Sequence, residues 1–195
     1  MSTGVNANSR VKGLLFGARM RYLAAQGPGK REEVLARLSR ADRETLGGSL
    51  FPNTWYPADL LGRLDNAIAD AVVRGDRTLL FKELGRFSAN LNLKPGGVQR
   101  SYLKEGDVQF ILHHVPRMYT TVHGSDGQRV YEKTGDRSAV IRTLPGGEVS
   151  AQECLTAVGW LERAIELSGG HKVQVSETQC LAKGAPCCEY RCEWQ

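Results

Sequence analysis

The residues best suited to chemistry lie near the end of the sequence, in the segment SETQCLAKGAPCCEYRCEW. Four of the five cysteines fall between Cys180 and Cys192, and the fifth, Cys154, lies about one helix earlier. Cys180 and Cys188 bracket a loop that contains glycine and proline, so a hairpin would bring their thiols together. Glu177 would add an oxygen near the end of the first strand.

Thiolate and carboxylate donors suit a tetrahedral metal site, and zinc is the most common metal in such sites. Magnesium and calcium are disfavoured because they prefer oxygen ligands. The spacing therefore predicts a metal site of Cys154, Glu177, Cys180 and Cys188 that fastens a helix to the hairpin. The alternative is that the cysteines are buried core residues, since free cysteine is often buried.

Two further cysteines bear on the identity of the ligands. Cys187 adjoins Cys188, so either residue can supply the thiol at the ligand position assigned to Cys188. Cys192 shares a sheet face with Cys188 if the last strand is regular, because side chains alternate along a strand. We predict that Cys192 is a core residue, and its use as a substitute ligand stays open.

Apolar periodicity predicts the elements that position these residues. Ser150 and Glu153 match a helix capping box, Asp76 is a candidate cap, and Pro116 predicts a kink or a break. The predicted helices span 12–23, 31–46, 57–73, 78–91, 107–121 and 150–168, and the predicted strands span 130–132, 139–143, 172–176 and 188–194. This order predicts an α+β fold with N-terminal helices packed on a small antiparallel sheet (β-β-α-β-β). We expect one domain over 1–195, with a mainly helical part (1–122) and an α+β part with the metal site (123–195).

Composition excludes several classes of protein. The net charge is +5, but the basic residues are scattered, which disfavours a nucleic-acid interface. No apolar run approaches the roughly 20 residues of a membrane span. The N-terminal segment MSTGVNANSR lacks an apolar signal core, so we expect a cytoplasmic protein, in which grouped cysteines are more often metal ligands than disulfides.

The segment from Glu153 to Trp194 resembles the 4-vinyl reductase domain family, which includes the sensor modules of phenol- and toluene-responsive activators. Glu177-x2-Cys180-x7-Cys188 fits that family's zinc pattern E-x2-C-x7-C, and Cys154 stands where the helix cysteine is expected. The wider chain is similar to a family of stand-alone bacterial proteins typical of myxobacteria, through LFPNTWYP, GWLERAIELSGG and the final C-x-A-x-G…C…W pattern.

The resemblance implies an NO-signalling/Golgi-transport-like ligand-binding fold, shared with haem-based nitric-oxide sensors and TRAPP subunits. It implies a non-catalytic regulatory protein that binds a hydrophobic or aromatic small molecule, holds a structural zinc ion and signals through a protein partner. The alternative is a homodimeric interaction scaffold like the TRAPP subunits, without a small ligand. An enzyme is the least favoured hypothesis because no acid–base or nucleophile set is legible.

A few isolated residues allow other interpretations. His113 and His114 lie in one helix. One of them could face a pocket or bind haem, but a surface or core role without ligand binding is favoured. His123 is expected to be solvated near a turn. Trp160 lies away from the Cys154 stripe and suits either a dimer contact or a second layer of helices.

Overall fold

The computed structural model describes residues 9–73, 75–124, 127–146 and 149–195. The first eight residues, which form most of the segment used to argue against a signal peptide, lie outside these ranges. The helices are α1 (Gly13–Ala25), α2 (Lys30–Leu35), α3 (Arg40–Gly47), α4 (Ala58–Val72), α5 (Thr78–Leu93), α6 (Val108–His123) and α7 (Ala151–Leu167). The strands are β1 (Arg10–Lys12), β2 (Trp55–Pro57), β3 (Gln128–Gly135), β4 (Ser138–Leu144), β5 (Gln174–Gln179) and β6 (Cys188–Glu193).

The α+β class predicted from the sequence is confirmed, and most helices lie where apolar periodicity placed them. In α4, for example, Leu60, Leu61, Leu64 and Ile68 form one buried stripe. Helix α7 begins at its predicted cap, whereas the N-cap of α5 is Arg77 and the predicted Asp76 lies one residue before it. Thr78 N donates to Asp76 Oδ1 at 2.8 Å, and the residues 150–153 cap α7 through a bond of 3.1 Å from Glu153 N to Ser150 Oγ.

One prediction for the N-terminal part is wrong, and the structure adds detail to two others. The helix predicted over 31–46 is two helices, because Ser39 is extended and its Oγ accepts from Asp42 N, which starts α3 anew. The part predicted as mainly helical also contains β1 and β2, which pair antiparallel with Val11 opposite Tyr56. Pro116 does not break its helix, since α6 continues through it.

A four-stranded antiparallel sheet in the order β3-β4-β6-β5 forms the other part of the structure. Cys188, Tyr190 and Cys192 alternate with more exposed neighbours along β6, as the regular strand predicted. Helices α6 and α7 pack with this buried face in one hydrophobic core, and α1 to α5 enclose a second core. None of the described helices is both long and apolar enough to cross a bilayer.

Both outer strands of this sheet are irregular. On β3 the register shifts between Lys133 and Gly135. On β5 it shifts between Glu177 and Gln179. Each shift interrupts the ladder of backbone hydrogen bonds at a sheet edge.

Helices α5 and α7 cross at very short range. A Cβ atom on Gly159 would lie 1.9 Å from the carbonyl oxygen of Lys82, and one on Gly85 would lie 2.0 Å from that of Thr156. Neither contact leaves room for a methyl group, so the two glycines allow the backbones to touch. This crossing joins the helical part of the chain to the helix that covers the sheet.

Candidate functional site

The structure brings together the four side chains that the sequence proposed as metal ligands. Helix α7 supplies Cys154, β5 supplies Glu177, and Cys180 and Cys188 lie at the two ends of the hairpin loop. The Sγ atom of Cys154 lies 3.5 Å from that of Cys188 and 3.7 Å from that of Cys180. One donor atom from each of the four residues lies within 4.8 Å of the others.

Glu177 gives this cluster an unsatisfied acceptor. Its Oε2 atom lies 3.5 Å from Nζ of Lys183, whose side chain is exposed. Its Oε1 atom is buried and has no hydrogen-bond partner among the described residues. A buried carboxylate oxygen without a partner is costly. The cluster therefore has the donor atoms expected of a cation site, and a bound cation would give Glu177 Oε1 the partner that it lacks.

Hydrogen bonding within the cluster favours a thiolate at Cys188. The contact between the Cys154 and Cys188 thiols, in which either sulfur can be the donor, lowers the pKa of Cys188, and Leu181 N also donates to Cys188 Sγ at 3.3 Å. The same contact between the thiols and burial raise the pKa of Cys154. Burial and then Glu177 raise the pKa of Cys180. Cys188 is thus the thiol of the cluster that most readily loses its proton, and metals bind the thiolate form.

The remaining cysteines lie outside the group of four. The Sγ atom of Cys187 is 3.7 Å from Gln179 Oε1. Cys192 is fully buried in the core of the sheet, where burial raises its pKa to about 12. Cys192 therefore occupies the core position that the sequence predicted.

An interior cavity of about 100 Å³ lies between α1, α5, α6 and α7. Apolar side chains, among them Val115, Met118 and Trp160, form about half of its wall, and polar or charged side chains form the rest. A buried ion pair borders it, in which Arg19 Nε and Nη2 each donate to Asp65 at 3.0 Å. The two side chains are only 4% and 6% exposed, so this charge pair lies inside the protein.

His123 and Glu153 form a second polar pair at the cavity, with His123 Nδ1 3.6 Å from Glu153 Oε1. Burial, followed by the positive charges of Arg129 and Arg19, lowers the pKa of His123 to about 3. Burial raises the pKa of Glu153 to about 7. The imidazole is therefore neutral at neutral pH, and the contact is not an ion pair.

Arg129 completes the polar side of the cavity. Its guanidinium carbon lies 4.3 Å from the centre of the Tyr119 ring, and its Nε donates to Thr143 Oγ1 at 3.0 Å. A second cavity of about 290 Å³ adjoins the first and shares Arg19, Tyr119, His123 and Glu153 with it. Together with Leu61, which also lines both cavities, these four side chains form the boundary between the two spaces.

The sequence implied a site for a hydrophobic small molecule but did not identify the residues of this cavity, although a signal was present. Arg19 falls on the apolar stripe of α1, four residues after Leu15 and four before Leu23. Asp65 follows Leu61 by four residues on the buried stripe of α4. A charged residue on a buried stripe is rarely tolerated without a partner, so the two positions could have been predicted to pair.

The histidines and Trp160 need similar revision. His123 was expected to be solvated, which is wrong, because its side chain is 15% exposed and stacks on Tyr119 with ring centroids 4.2 Å apart. Trp160 is half-buried and faces the cavity. His113 and His114 pack with each other and line neither of the two adjoining cavities.

Comparison with known proteins identifies the fold. No protein-family model and no curated protein sequence matches this chain. Among solved structures, an H-NOX protein from S. oneidensis in the Fe(II)NO ligation state has a TM-score of 0.72 at 16% identity, covering 94% of this chain and 99% of that chain. An oxygen-binding H-NOX domain related to soluble guanylate cyclases, in its oxygen complex, has a TM-score of 0.70 at 12% identity. The match covers 94% of this chain and 95% of that chain. The chain has an H-NOX-like fold.

The recognition of a 4-vinyl reductase domain, and of the similar myxobacterial family, is therefore wrong. The similar structures named here are H-NOX proteins, and none of them is a 4-vinyl reductase domain or a TRAPP subunit. The E-x2-C-x7-C pattern describes one hairpin, whereas the structural match covers 94% of the chain. A local pattern of this kind does not determine the path of the whole backbone.

The prediction of zinc as the cofactor is also wrong by this comparison. The similar structures are described by heme distortion and by iron ligation states, and none by zinc. Thiols and a carboxylate at hairpin spacing identify donor atoms, and several thiophilic metals accept the same donors. The spacing therefore does not determine which metal is bound.

Proposed function

We propose that this protein is a non-catalytic sensor that binds a small molecule in its interior cavity. The observation that supports the proposal is the interior cavity between α1, α5, α6 and α7, with the buried pair Arg19–Asp65 at its border. The cavity combines apolar side chains with polar and charged ones. This combination suits a ligand site, because polar groups orient a ligand that apolar contacts retain. The H-NOX-like fold is consistent with this function but does not establish it.

Heme, which the similar structures contain, does not fit this cavity. The volume of about 100 Å³ is well below the about 300–1,000 Å³ of sites for larger ligands. His123 is the histidine that lines it, and its ring is stacked on Tyr119 while Nδ1 faces Glu153. The cavity is too small for a porphyrin, and the lining histidine His123 already contacts Tyr119 and Glu153, so the proposed ligand is a smaller molecule.

Filling the cavity with a larger side chain tests whether it is the ligand site. Ala157 lies on α7 at the cavity wall, and Ala157→Leu should weaken binding of five-carbon probes about tenfold or more by steric exclusion. The probes are pentan-1-ol, pentanamide, pentanoate and pentylammonium. Binding is measured by titration calorimetry and by the shift of the Trp160 indole resonance, which reports on the cavity directly.

Ala24→Leu is the matched control, because Ala24 is exposed on α1 and does not line the cavity. It should leave probe binding unchanged. Failure of all four probes to bind the wild-type protein would contradict the proposed function, as would equal binding to the Ala157→Leu protein.

We also propose that Cys154, Glu177, Cys180 and Cys188 hold one thiophilic metal ion with a structural role. The buried, unpartnered Oε1 of Glu177 beside three thiols supports this proposal. All four positions come from the protein, as in structural rather than catalytic sites. The four residues would fasten α7 to the β5–β6 hairpin, and they exclude water from the cluster through their burial.

Elemental mass spectrometry on the purified wild-type protein tests this second proposal and identifies the metal. We expect one metal ion per chain, and its loss in Cys188→Ser because a hydroxyl is a poor replacement for a thiolate with soft metals. Cys187→Ser is the matched control and should retain the metal, since its Sγ atom contacts Gln179 instead. A folded, metal-free wild-type protein would contradict the proposal.

A further inference from the structure

We propose that the ligand of the interior cavity is a small carboxylate with a short apolar body, with its carboxylate held by Arg129. This inference rests on the proposed function, because it specifies the ligand of the same cavity. It depends on the charges at the cavity wall, on the hydrogen-bonding capacity that they leave free, and on the size of the apolar space.

The two arginines at the wall differ in how they are paired. Arg19 already has a carboxylate partner, since its Nε and Nη2 each donate to an oxygen of Asp65 at 3.0 Å. Arg129 uses Nε on Thr143 and places its planar face on Tyr119. Among the described residues, no carboxylate lies within 4.0 Å of the Arg129 guanidinium. Its terminal nitrogens therefore retain the donors that match a carboxylate in a two-pronged contact.

Two cations and two carboxylates surround this part of the cavity, and Arg129 is the cation that no described carboxylate contacts directly. Besides burial, both Arg129 and Arg19 lower the pKa of His123, so the two cations act on the same space. The acidic groups that face His123 are Glu153 at 3.6 Å and Asp65, which is committed to Arg19. A cationic head group would meet two guanidiniums at this position, which disfavours it.

The apolar side of the cavity limits the body of the ligand. Its volume of about 100 Å³ is smaller than the 150 Å³ or so of an engineered cavity that admits benzene. A chain of about four carbons is therefore a suitable length. Leu14, Val115, Met118 and Trp160 would contact such a chain, while the carboxylate reaches the boundary with the second cavity.

Probes with one common chain and different head groups test the inference. Pentanoate should bind the wild-type protein about tenfold more tightly than pentanamide, since a hydrogen bond to a charged group contributes that much or more. Pentylammonium should bind more weakly than either. Arg129→Gln should remove the preference for pentanoate and retain the binding of pentanamide, as measured by calorimetry.

Arg117→Gln is the matched control, because Arg117 is exposed on α6 and does not line the cavity. It removes the same charge and should leave the preference intact. Arg129→Lys keeps the charge and should keep a reduced preference, which provides a second variant if Arg129→Gln does not fold.

The outcomes separate the two proposals. Pentanamide or pentan-1-ol binding as tightly as pentanoate would overturn the carboxylate inference and leave the cavity as a ligand site. An unchanged preference in folded Arg129→Gln would overturn the role of Arg129. Absence of binding by every probe would overturn the proposed function itself.

Discussion

Replacing Asp65 with asparagine is expected to lower the free energy of unfolding by about 3–5 kcal/mol, because it leaves the buried guanidinium of Arg19 without a counter-charge. The substitution keeps the size of the side chain and one acceptor oxygen, so the loss is mainly that of charge. Both partners are almost fully buried, at 4% and 6% exposed, and solvent cannot replace the carboxylate. Urea unfolding followed by circular dichroism measures the effect.

Two further variants make this prediction specific. The double variant Arg19→Met/Asp65→Leu should be more stable than Asp65→Asn alone, since removing both charges also removes the cost of burying them. Glu44→Gln alters an exposed ion pair with Arg40 and should change stability by less than about 1 kcal/mol. A cost below about 1 kcal/mol for Asp65→Asn would show that water reaches Arg19.

Gly159→Ala is expected to destabilise the protein by about 3 kcal/mol or more, because the new methyl group has no space at the crossing of α5 and α7. The Cβ atom would lie 1.9 Å from Lys82 O, and a backbone carbonyl cannot move aside without shifting its helix. This cost outweighs the about 1 kcal/mol by which alanine is the better helix former. Thermal and urea unfolding of the purified variant test it.

Gly62→Ala is the matched control for this substitution. Gly62 lies inside α4, and a Cβ atom there meets nothing within 4 Å. It should stabilise the protein by up to about 1 kcal/mol through helix propensity alone. If Gly159→Ala and Gly62→Ala change stability in the same direction, the close helix crossing is not present in solution.

Much of the fold could be predicted because most of its elements have clear periodicity. The stripe Leu60, Leu61, Leu64 and Ile68 shows where α4 lies and which face it buries. Periodicity does not reveal a cap inside an apparent helix, which is why Ser39 was missed as the start of α3. The three-residue strands β1 and β2 are too short to show alternation.

The candidate sites were predictable to different degrees. Cys154, Glu177, Cys180 and Cys188 were chosen from residue type and hairpin spacing, and the structure brings their donor atoms together. Metal binding itself stays a prediction. The cavity depends on contacts between α1, α5, α6 and α7, and such distant contacts are not encoded in local spacing.

The hypotheses of a homodimer and of a protein partner also stay predictions, and the sheet restricts how copies of the chain can associate. A regular outer strand invites a second chain to extend the sheet by main-chain pairing. Here both outer strands, β3 and β5, have interrupted registers. The residues Gln128–Lys133 and Gln174–Glu177 remain in regular register, so a second chain could pair without interruption only with these short segments, and longer intermolecular sheets are disfavoured at either edge.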